Sequence, residues 1–386
     1  MNDGRFAYKV LTALLTLALA LALSLPALAD GSDAMAWLKA QQNADGGFGD
    51  PASAAGATAD VLLAIAATGE NGLDWAQEGG VTTRAFLEDH ASSIAKAGDA
   101  AKVILALVAS GGNPRDLGGV DLVAMLESMV GEDGKIGGEG EFVNEHSYAT
   151  IALASVWRPV PAEAVDYLLG LQIEDGSWSW NGDTTAGSGD NNTAAMAVVA
   201  LIAAGVPVDH VQIQKTLALF EAQQNEDGGF PYVKPSPWGT DSDANSTAVV
   251  MWALLAAGED PAGVDWKAQG RDGYSALDRL RAFQNENGAF RWQDGMPDDN
   301  FASTVQAVVA LEMKTLPFAT MDVGEVEPAA PDAGEAGLLP ETGVARWMQV
   351  FALMAGGMAL LGTGLLLRRR TWATARVRER GSPNSR

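Results

Sequence analysis

Residues 37–48 read Trp37-Leu38-Lys39-Ala40-Gln41-Gln42-Asn43-Ala44-Asp45-Gly46-Gly47-Phe48, and the pattern returns as Tyr167-Leu168-Leu169-Gly170-Leu171-Gln172-Ile173-Glu174-Asp175-Gly176-Ser177-Trp178. Two shorter copies keep the later part: Gln224, Gly228 and Phe230, then Gln284, Gly288 and Phe290. A degraded copy ends at Asp133-Gly134-Lys135-Ile136. The glycines at 46, 134, 176, 228 and 288 lie 88, 42, 52 and 60 residues apart. The longest gap holds two units of 44, so a hidden copy is expected around Phe86 to Lys96. That makes six repeats across residues 33–315. Self-similarity at this period marks a repeat-built domain rather than several unrelated ones.

Each clear repeat has one anatomy. An amphipathic segment ends in Gln and Asn, and a glycine turn supplies the positive φ that stops a helix. A polar, Asp/Asn-rich loop follows. An almost wholly apolar segment then begins with Thr or Ser, as in Thr193–Leu201, Thr247–Leu255 and Thr304–Leu311. These segments are Ala-rich and too long for ordinary strands, which argues for helices. A helix apolar on all sides must be buried, and its amphipathic partner must cover it. The fold class expected is therefore all-α: six helix pairs closing into an (α/α)6 toroid, with an open superhelix as the alternative.

The turn pattern resembles the QW motif of the terpenoid cyclase and protein prenyltransferase repeat superfamily: an aromatic-Leu pair, Gln, Gly and an aromatic. Residues 37–48 and 167–178 fit it fully. The resemblance implies the same toroid. It also implies a structural role for Gln42, Gly46, Phe48, Gln172, Gly176, Trp178, Gln224, Gly228, Phe230, Gln284, Gly288 and Phe290, which brace one repeat against the next. Class II cyclases of that superfamily protonate a polyprene with an Asp-x-Asp-Asp motif. The nearest match, Asp241-Ser242-Asp243-Ala244, lacks the last acid, and crowding of carboxyls is what makes one of them hold its proton. The zinc set of the prenyltransferases needs a Cys, and the chain has none. A body of this size also leaves little room for the second helical barrel of a full cyclase.

Composition narrows the chemistry further. Without cysteine there is no disulfide, thiolate metal site, thioester or cysteine nucleophile. Three histidines, His90, His146 and His210, do not suggest a metal centre, and no cofactor is expected. The formal charge of −24 argues against nucleic acid as a partner. Several inner helices start from acidic or amide loops: Asn144-Glu145-His146, Asp190-Asn191-Asn192, Asp241 to Asn245 and Asp298-Asp299-Asn300. In a toroid these starts gather at one mouth. The ligand-binding candidates are thus Asp190, Asp241, Asp243, Asp299, His146 and the loop residue Trp180, for a glycan or another small molecule. Asp241-x-Asp243-x-Asn245 has the spacing that opens a calcium loop, but the rest of an EF-hand is missing, so no metal is assigned. Helix capping is the competing role for each acid. The balance leans toward binding rather than catalysis.

The ends read as addresses. Arg5 and Lys9, an apolar run from Val10 to Leu25 and Ala27-Leu28-Ala29 form a signal peptide over residues 1–29, with cleavage after Ala29. Residues 30–314 are the repeat domain, and 315–338 are an acidic Pro/Gly linker. Leu339-Pro340-Glu341-Thr342-Gly343 is followed by an uncharged run, 347–367, long enough to span a bilayer, and by Arg368-Arg369-Arg370. This tail, 339–386, resembles the LPxTG cell-wall sorting signal of Gram-positive surface proteins. The resemblance implies a sortase as partner, attachment of Thr342 to a peptidoglycan precursor and display on the cell surface.

Overall fold

The computed structural model describes residues 31–237, 239–268 and 274–324, all in one compact unit ending at Gly324. Among them are twelve α-helices, two 3-10 turns and one β-hairpin. The six repeats pair an outer with an inner helix: α1 (Gly31–Ala40) with α2 (Ala55–Ala67), α3 (Thr83–His90) with α4 (Ala97–Ala109), and α5 (Leu122–Ser128) with α6 (Val143–Ser155). The second half continues with α7 (Ala162–Gly170) and α8 (Asn191–Ala203), α9 (Val211–Gln223) and α10 (Ala244–Ala256), and α11 (Ala276–Ala282) and α12 (Phe301–Leu311). The hidden repeat is real: α3 and the 3-10 turn Ala91–Ser93 fill the gap.

The inner helices pack in order α2, α4, α6, α8, α10 and α12, and α12 packs back on α2. The ring is therefore closed, which settles toroid against superhelix. The inner helices are buried along nearly their whole length, as in α8 from Thr193 to Leu201. Outer helices bury one face only; α9 covers the ring with Ile213, Thr216, Leu217 and Phe220.

The repeat turns work as seams. Gln42 Nε2 donates to its own turn at the Gly46 carbonyl (2.9 Å) and, across the seam, to Trp75 O (3.0 Å) and Thr83 Oγ1 (3.0 Å) at the start of α3. Gln172 does the same with Gly176, Gln212 and Thr216, and Gln224 with Gly228 and Trp266. Gln284 holds the carbonyl of Gly288. Phe48, Trp178, Phe230 and Phe290 are fully buried behind the turns. The glycines have positive φ and abut the first turn of the next outer helix. A Cβ on Gly46 would lie 2.6 Å from the Thr82 carbonyl, and one on Gly288 would collide with the backbone of Asp33 in α1. The last turn thus meets the first helix, so the seam that closes the ring uses the same chemistry as the others.

Three features depart from the repeat pattern. The sixth repeat carries the hairpin, β1 (Arg291–Gln293) antiparallel to β2 (Met296–Asp299). The second position past the end of four inner helices is a left-handed glycine (Gly69, Gly111, Gly205, Gly258), but α6 and α12, which face each other across the ring, have Trp157 (φ 56) and Met313 (φ 50) there. Finally, the linker expected from residue 315 starts as part of the ring. Lys314 Nζ donates to Ala67 O (2.6 Å), Leu316 is buried, Met321 N donates to Ser155 O (2.8 Å), and Arg115 binds the carbonyls of Val323 and Gly324. Residues 314–324 form a strap across the C-terminal ends of α2 and α6. Apolar Leu316, Phe318, Met321 and Val323 explain it, since each packs on the core.

The signal peptide with Ala27 and Ala29, the rest of the linker, and the sorting tail with Leu339 to Gly343 lie outside the described residues. Among the described residues no helix is long and apolar enough to cross a membrane.

Candidate functional site

The expected acids do sit at inner-helix starts, but two of the four, Asp190 and Asp243, are engaged as caps. Asp190 is the N-cap of α8 and accepts from Thr193 N (2.8 Å) and Thr193 Oγ1 (2.9 Å), and also from the Tyr232 phenol and the Asn192 backbone N–H. Asp243 caps α10 through Ser246 N (2.7 Å) and Ser246 Oγ (2.8 Å), and accepts from the Trp292 indole. Burial raises both carboxyls, Asp243 to about 6. Each is 2 % exposed, so neither is offered to a ligand. Asp241 is exposed beside the hairpin, outside the ring axis. Asp299 accepts from Trp37 Nε1 (3.1 Å), Asn285 Nδ2 (2.8 Å) and Asn287 Nδ2 (2.7 Å). It clasps the last turn to α1, and those donors outweigh partial burial to hold its carboxyl below the usual range. No calcium loop forms: Asn245 turns inward to Gln306 Oε1 (2.9 Å) and accepts from Ser303 Oγ (2.6 Å).

His146 is a structural residue. It is fully buried, accepts from Ile136 N–H at Nδ1 (2.9 Å) and donates from Nε2 to Ala164 O (3.1 Å). A backbone donor on one nitrogen and a carbonyl on the other fix the neutral Nε2–H tautomer. Burial depresses its pKa to about 4. The reason for a histidine here lies in the degraded turn of repeat three. In three other repeats a Thr one turn into the inner helix accepts from the turn's aromatic N–H: Thr58 from Phe48, Thr247 from Phe230, Thr304 from Phe290. In repeats one, four and five a Gln donates across the seam, but its place here is Val130. His146 performs both functions with its two nitrogens. Trp180 is half exposed and meets exposed Phe142 edge-on, with centroids 5.1 Å apart.

What the ring does bring together is a polar cavity of about 330 Å³ on its axis, at the helix-start mouth. Five inner helices contribute: Asp99 and Lys102 from α4, Asn144, Glu145 and Tyr148 from α6, Asn192 and Met196 from α8, Val249 from α10, and Gln306 from α12, with Glu141 at the rim. Beneath it a narrow floor shares Tyr148 and Gln306 and adds Asp60, Trp252, Val309 and Leu316 of the strap. Lys102 Nζ bonds Asp60 Oδ2 (2.9 Å) and lies 5.0 Å from the Tyr148 ring centroid. Burial alone would discharge Lys102, but Asp60 reverses this and raises its pKa above the ordinary lysine value. Burial pushes the Tyr148 phenol up to about 12. Glu141 accepts from Gly98 N (2.9 Å) and Gly138 N (2.8 Å), capping α4 from the neighbouring loop.

Several buried atoms around the cavity have no partner among the described residues: Asn144 Oδ1, Asn192 Oδ1 and, on the floor, Trp252 Nε1. Among those residues no three His, Asp or Glu groups cluster to hold a metal ion. Sequence reasoning named Asn144, Glu145 and Asn192 as members of helix-start loops but missed Asp60, Asp99, Lys102, Tyr148 and Gln306. The signal available was a polar side chain in a run that is otherwise apolar, as Lys102 is between Ala101 and Val103.

The comparisons with known proteins agree with this architecture. The prenyltransferase alpha-alpha toroid domain family matches the chain over residues 1–138, 142–269 and 233–327. A squalene–hopene cyclase of Zymomonas mobilis is 37% identical over 134 residues, which cover 31% of this chain and 19% of that protein. The chain thus spans about a fifth of that relative's length. Among solved structures, the type II terpene cyclase MstE from Scytonema aligns with a TM-score of 0.51 at 17% identity, covering 73% of this chain and 96% of that one. A glycosidase variant, Y48F, aligns with a TM-score of 0.50 at 13% identity, covering 73% and 95%. Two such differently named proteins on one scaffold show a shared fold and leave the activity to the site. Five seams are braced by a glutamine or a histidine and the sixth by Gly118 packed against the Glu88 carbonyl; with the family match running through every repeat, the chain belongs to the prenyltransferase alpha-alpha toroid domain family.

Proposed function

We propose that this protein is a binding module, displayed outside the cell and joined to peptidoglycan by a sortase acting at Thr342, whose axial cavity receives a small polar ligand. The observation that carries the reading is the set of partnerless buried acceptors, Asn144 Oδ1 and Asn192 Oδ1, beside a cavity of about 330 Å³. Buried polar atoms are ordinarily paired, and a cavity of this size lies at the small end of ligand pockets, about 300–1,000 Å³. Cyclase chemistry is less well supported. It needs an apolar chamber and a crowded acid, whereas this lining is polar and Asp243 is committed to its helix. A glycan is the second reading, favoured by the exposed Phe142–Trp180 pair beside the mouth, a surface on which a sugar ring can lie.

Native mass spectrometry of the protein before and after exposure to envelope extracts tests the cavity. A discrete added mass that Asn192→Trp abolishes and Asp241→Ala leaves intact is the expected result. Retention of that mass by Asn192→Trp moves the site off the axis. For the attachment, Thr342→Ala should shift the protein from the wall fraction to the membrane and medium; an unchanged wall fraction removes the sortase reading.

A further inference from the structure

We propose that residues 314–324 are a hinged gate: the strap lifts off the ring while the helices stay folded, and exposes the floor of the axis at the end opposite the mouth. This goes beyond the binding reading and does not depend on it. The strap is held at few points. From Leu316 to Gly324 it has no helix or strand, and one backbone hydrogen bond, Met321 N to Ser155 O (2.8 Å), ties it to the ring. Arg115 clamps the far end, with Nε on Val323 O (3.2 Å) and Nη2 on Gly324 O (3.1 Å), and Asp121 holds the guanidinium at Nη1 (3.0 Å). Of residues 315–324 only Leu316 is buried. It seals a void of about 10 Å³ that it shares with Leu63, Tyr148, Trp252, Gln306 and Val309. Tyr148 and Gln306 also line the axial cavity. Lifting Leu316 therefore brings solvent to the layer that floors that cavity.

Two independent observations mark the strap as a moving part. The first is backbone strain. Among the described residues the non-glycines with positive φ are Met313 (φ 50) and Trp157 (φ 56). Met313 begins the strap, and Trp157 stands two residues after Ser155, whose carbonyl holds the strap's other end. A side chain in that region costs energy that glycine avoids at the end of the other four inner helices, and such strain collects at switch points. The second is unpaired polarity. Thr315 Oγ1 on the strap and Trp252 Nε1 beneath it are buried with no partner among the described residues. The void barely reaches the volume that one water needs, so the closed position withholds hydration from both groups. Opening restores it. Leu316 and the Arg115 clamp oppose this and keep the gate shut at rest.

The chain has no cysteine, so one introduced thiol reports on one place. Val309→Cys puts it on the floor under the strap, and Val198→Cys puts it in the buried middle of α8, which opens only with the whole ring. Labelling with 4,4′-dithiodipyridine under native conditions should be about ten-fold faster or more at Val309→Cys. Arg115→Met keeps the stem and removes the clamp's two bonds to the strap, so it should speed labelling at Val309→Cys about ten-fold again and leave Val198→Cys unchanged. Equal rates at the two thiols, or an equal rise at both, overturns the gate, because the floor then opens only by unfolding. A rate at Val309→Cys that Arg115→Met leaves unchanged also overturns it, because the reagent then enters by the mouth. Hydrogen exchange in the unaltered protein gives a second reading that needs no variant. The Met321 amide should exchange far faster than the amides of α8, and equal protection of the two overturns the inference.

Discussion

The two halves of the ring start their inner helices differently. In the second half, α8, α10 and α12 are capped by their own Asp190, Asp243 and Asn300, each accepting from the N–H three residues on. In the first half, α2, α4 and α6 begin at Ala54, Lys96 and Phe142, none with a side-chain cap. The acids there stand at the third helical position, as Asp99 and Glu145, or on the preceding loop, as Glu141. A carboxylate at the cap accepts from the N–H three residues on; at the third helical position Glu145 folds back onto Phe142 N, and Asp99 lies against Gly56 of α2 while lining the cavity. The second half therefore caps its inner helices with their own acids and amide, whereas in the first half Glu141 caps the neighbouring α4 and Glu145 reaches back to Phe142 N. Acid content alone is a poor guide to a site, and position within the first helical turn is a better one.

The largest test concerns the histidine that stands in for Gln and Thr in the third repeat. His146→Ala removes two buried hydrogen bonds and leaves a cavity, so it should lower unfolding free energy by about 3–4 kcal/mol, read in urea. Next come the seams. Gly134→Ala would drive a Cβ into the Glu163 carbonyl, whereas Gly119, with a similar φ of 84, faces open space. Gly134→Ala should cost about 3 kcal/mol and Gly119→Ala about 1 kcal/mol; equal losses would show that the glycines serve φ alone.

The pH profile separates the halves. The folded pKa of His146, about 4, lies below its unfolded value of 6.5, so its contribution is full above pH 6.5 and is lost as pH falls toward 4. Asp243 has the opposite sign: its folded pKa of about 6 lies above 3.8, so its contribution is full below 3.8 and is lost as pH rises through 6. Each is worth roughly 3 kcal/mol at about 1.4 per pKa unit. They partly cancel between pH 4 and 6. Asp243→Asn should therefore steepen the loss of stability on acidification, and His146→Gln should flatten or reverse it. Matching profiles for the two variants would break the assignment.

The smallest effects concern the caps. Asp190→Ala should cost about 1–2 kcal/mol without changing ligand retention. Ala54→Ser, whose backbone is already extended at φ −135 and ψ 145, should gain about 0.5–1 kcal/mol by giving α2 the cap it lacks. If Asp190→Ala abolishes ligand retention in a folded protein, the acids of the second half also belong to the site.

The repeat, the helix pairs and the seam residues were legible in the sequence because they rest on local, recurring signals: helical periodicity, a turn glycine and a Gln four residues before it. Even the hidden repeat followed from spacing. The capping role of Asp190 and Asp243 was also visible as a rule about helix starts, but nothing in the chain order told which acids would be engaged. Closure of the ring, the strap over its far end and the axial cavity were decided only by tertiary structure. Asp60 and Lys102 lie 42 residues apart, Leu316 reaches the floor from beyond the last helix, and Asn144 and Asn192 become neighbours of one cavity through the packing of α6 on α8. Short-range periodicity fixes which face of each helix is buried; which polar atoms then meet on the axis depends on how all six inner helices are rotated about it.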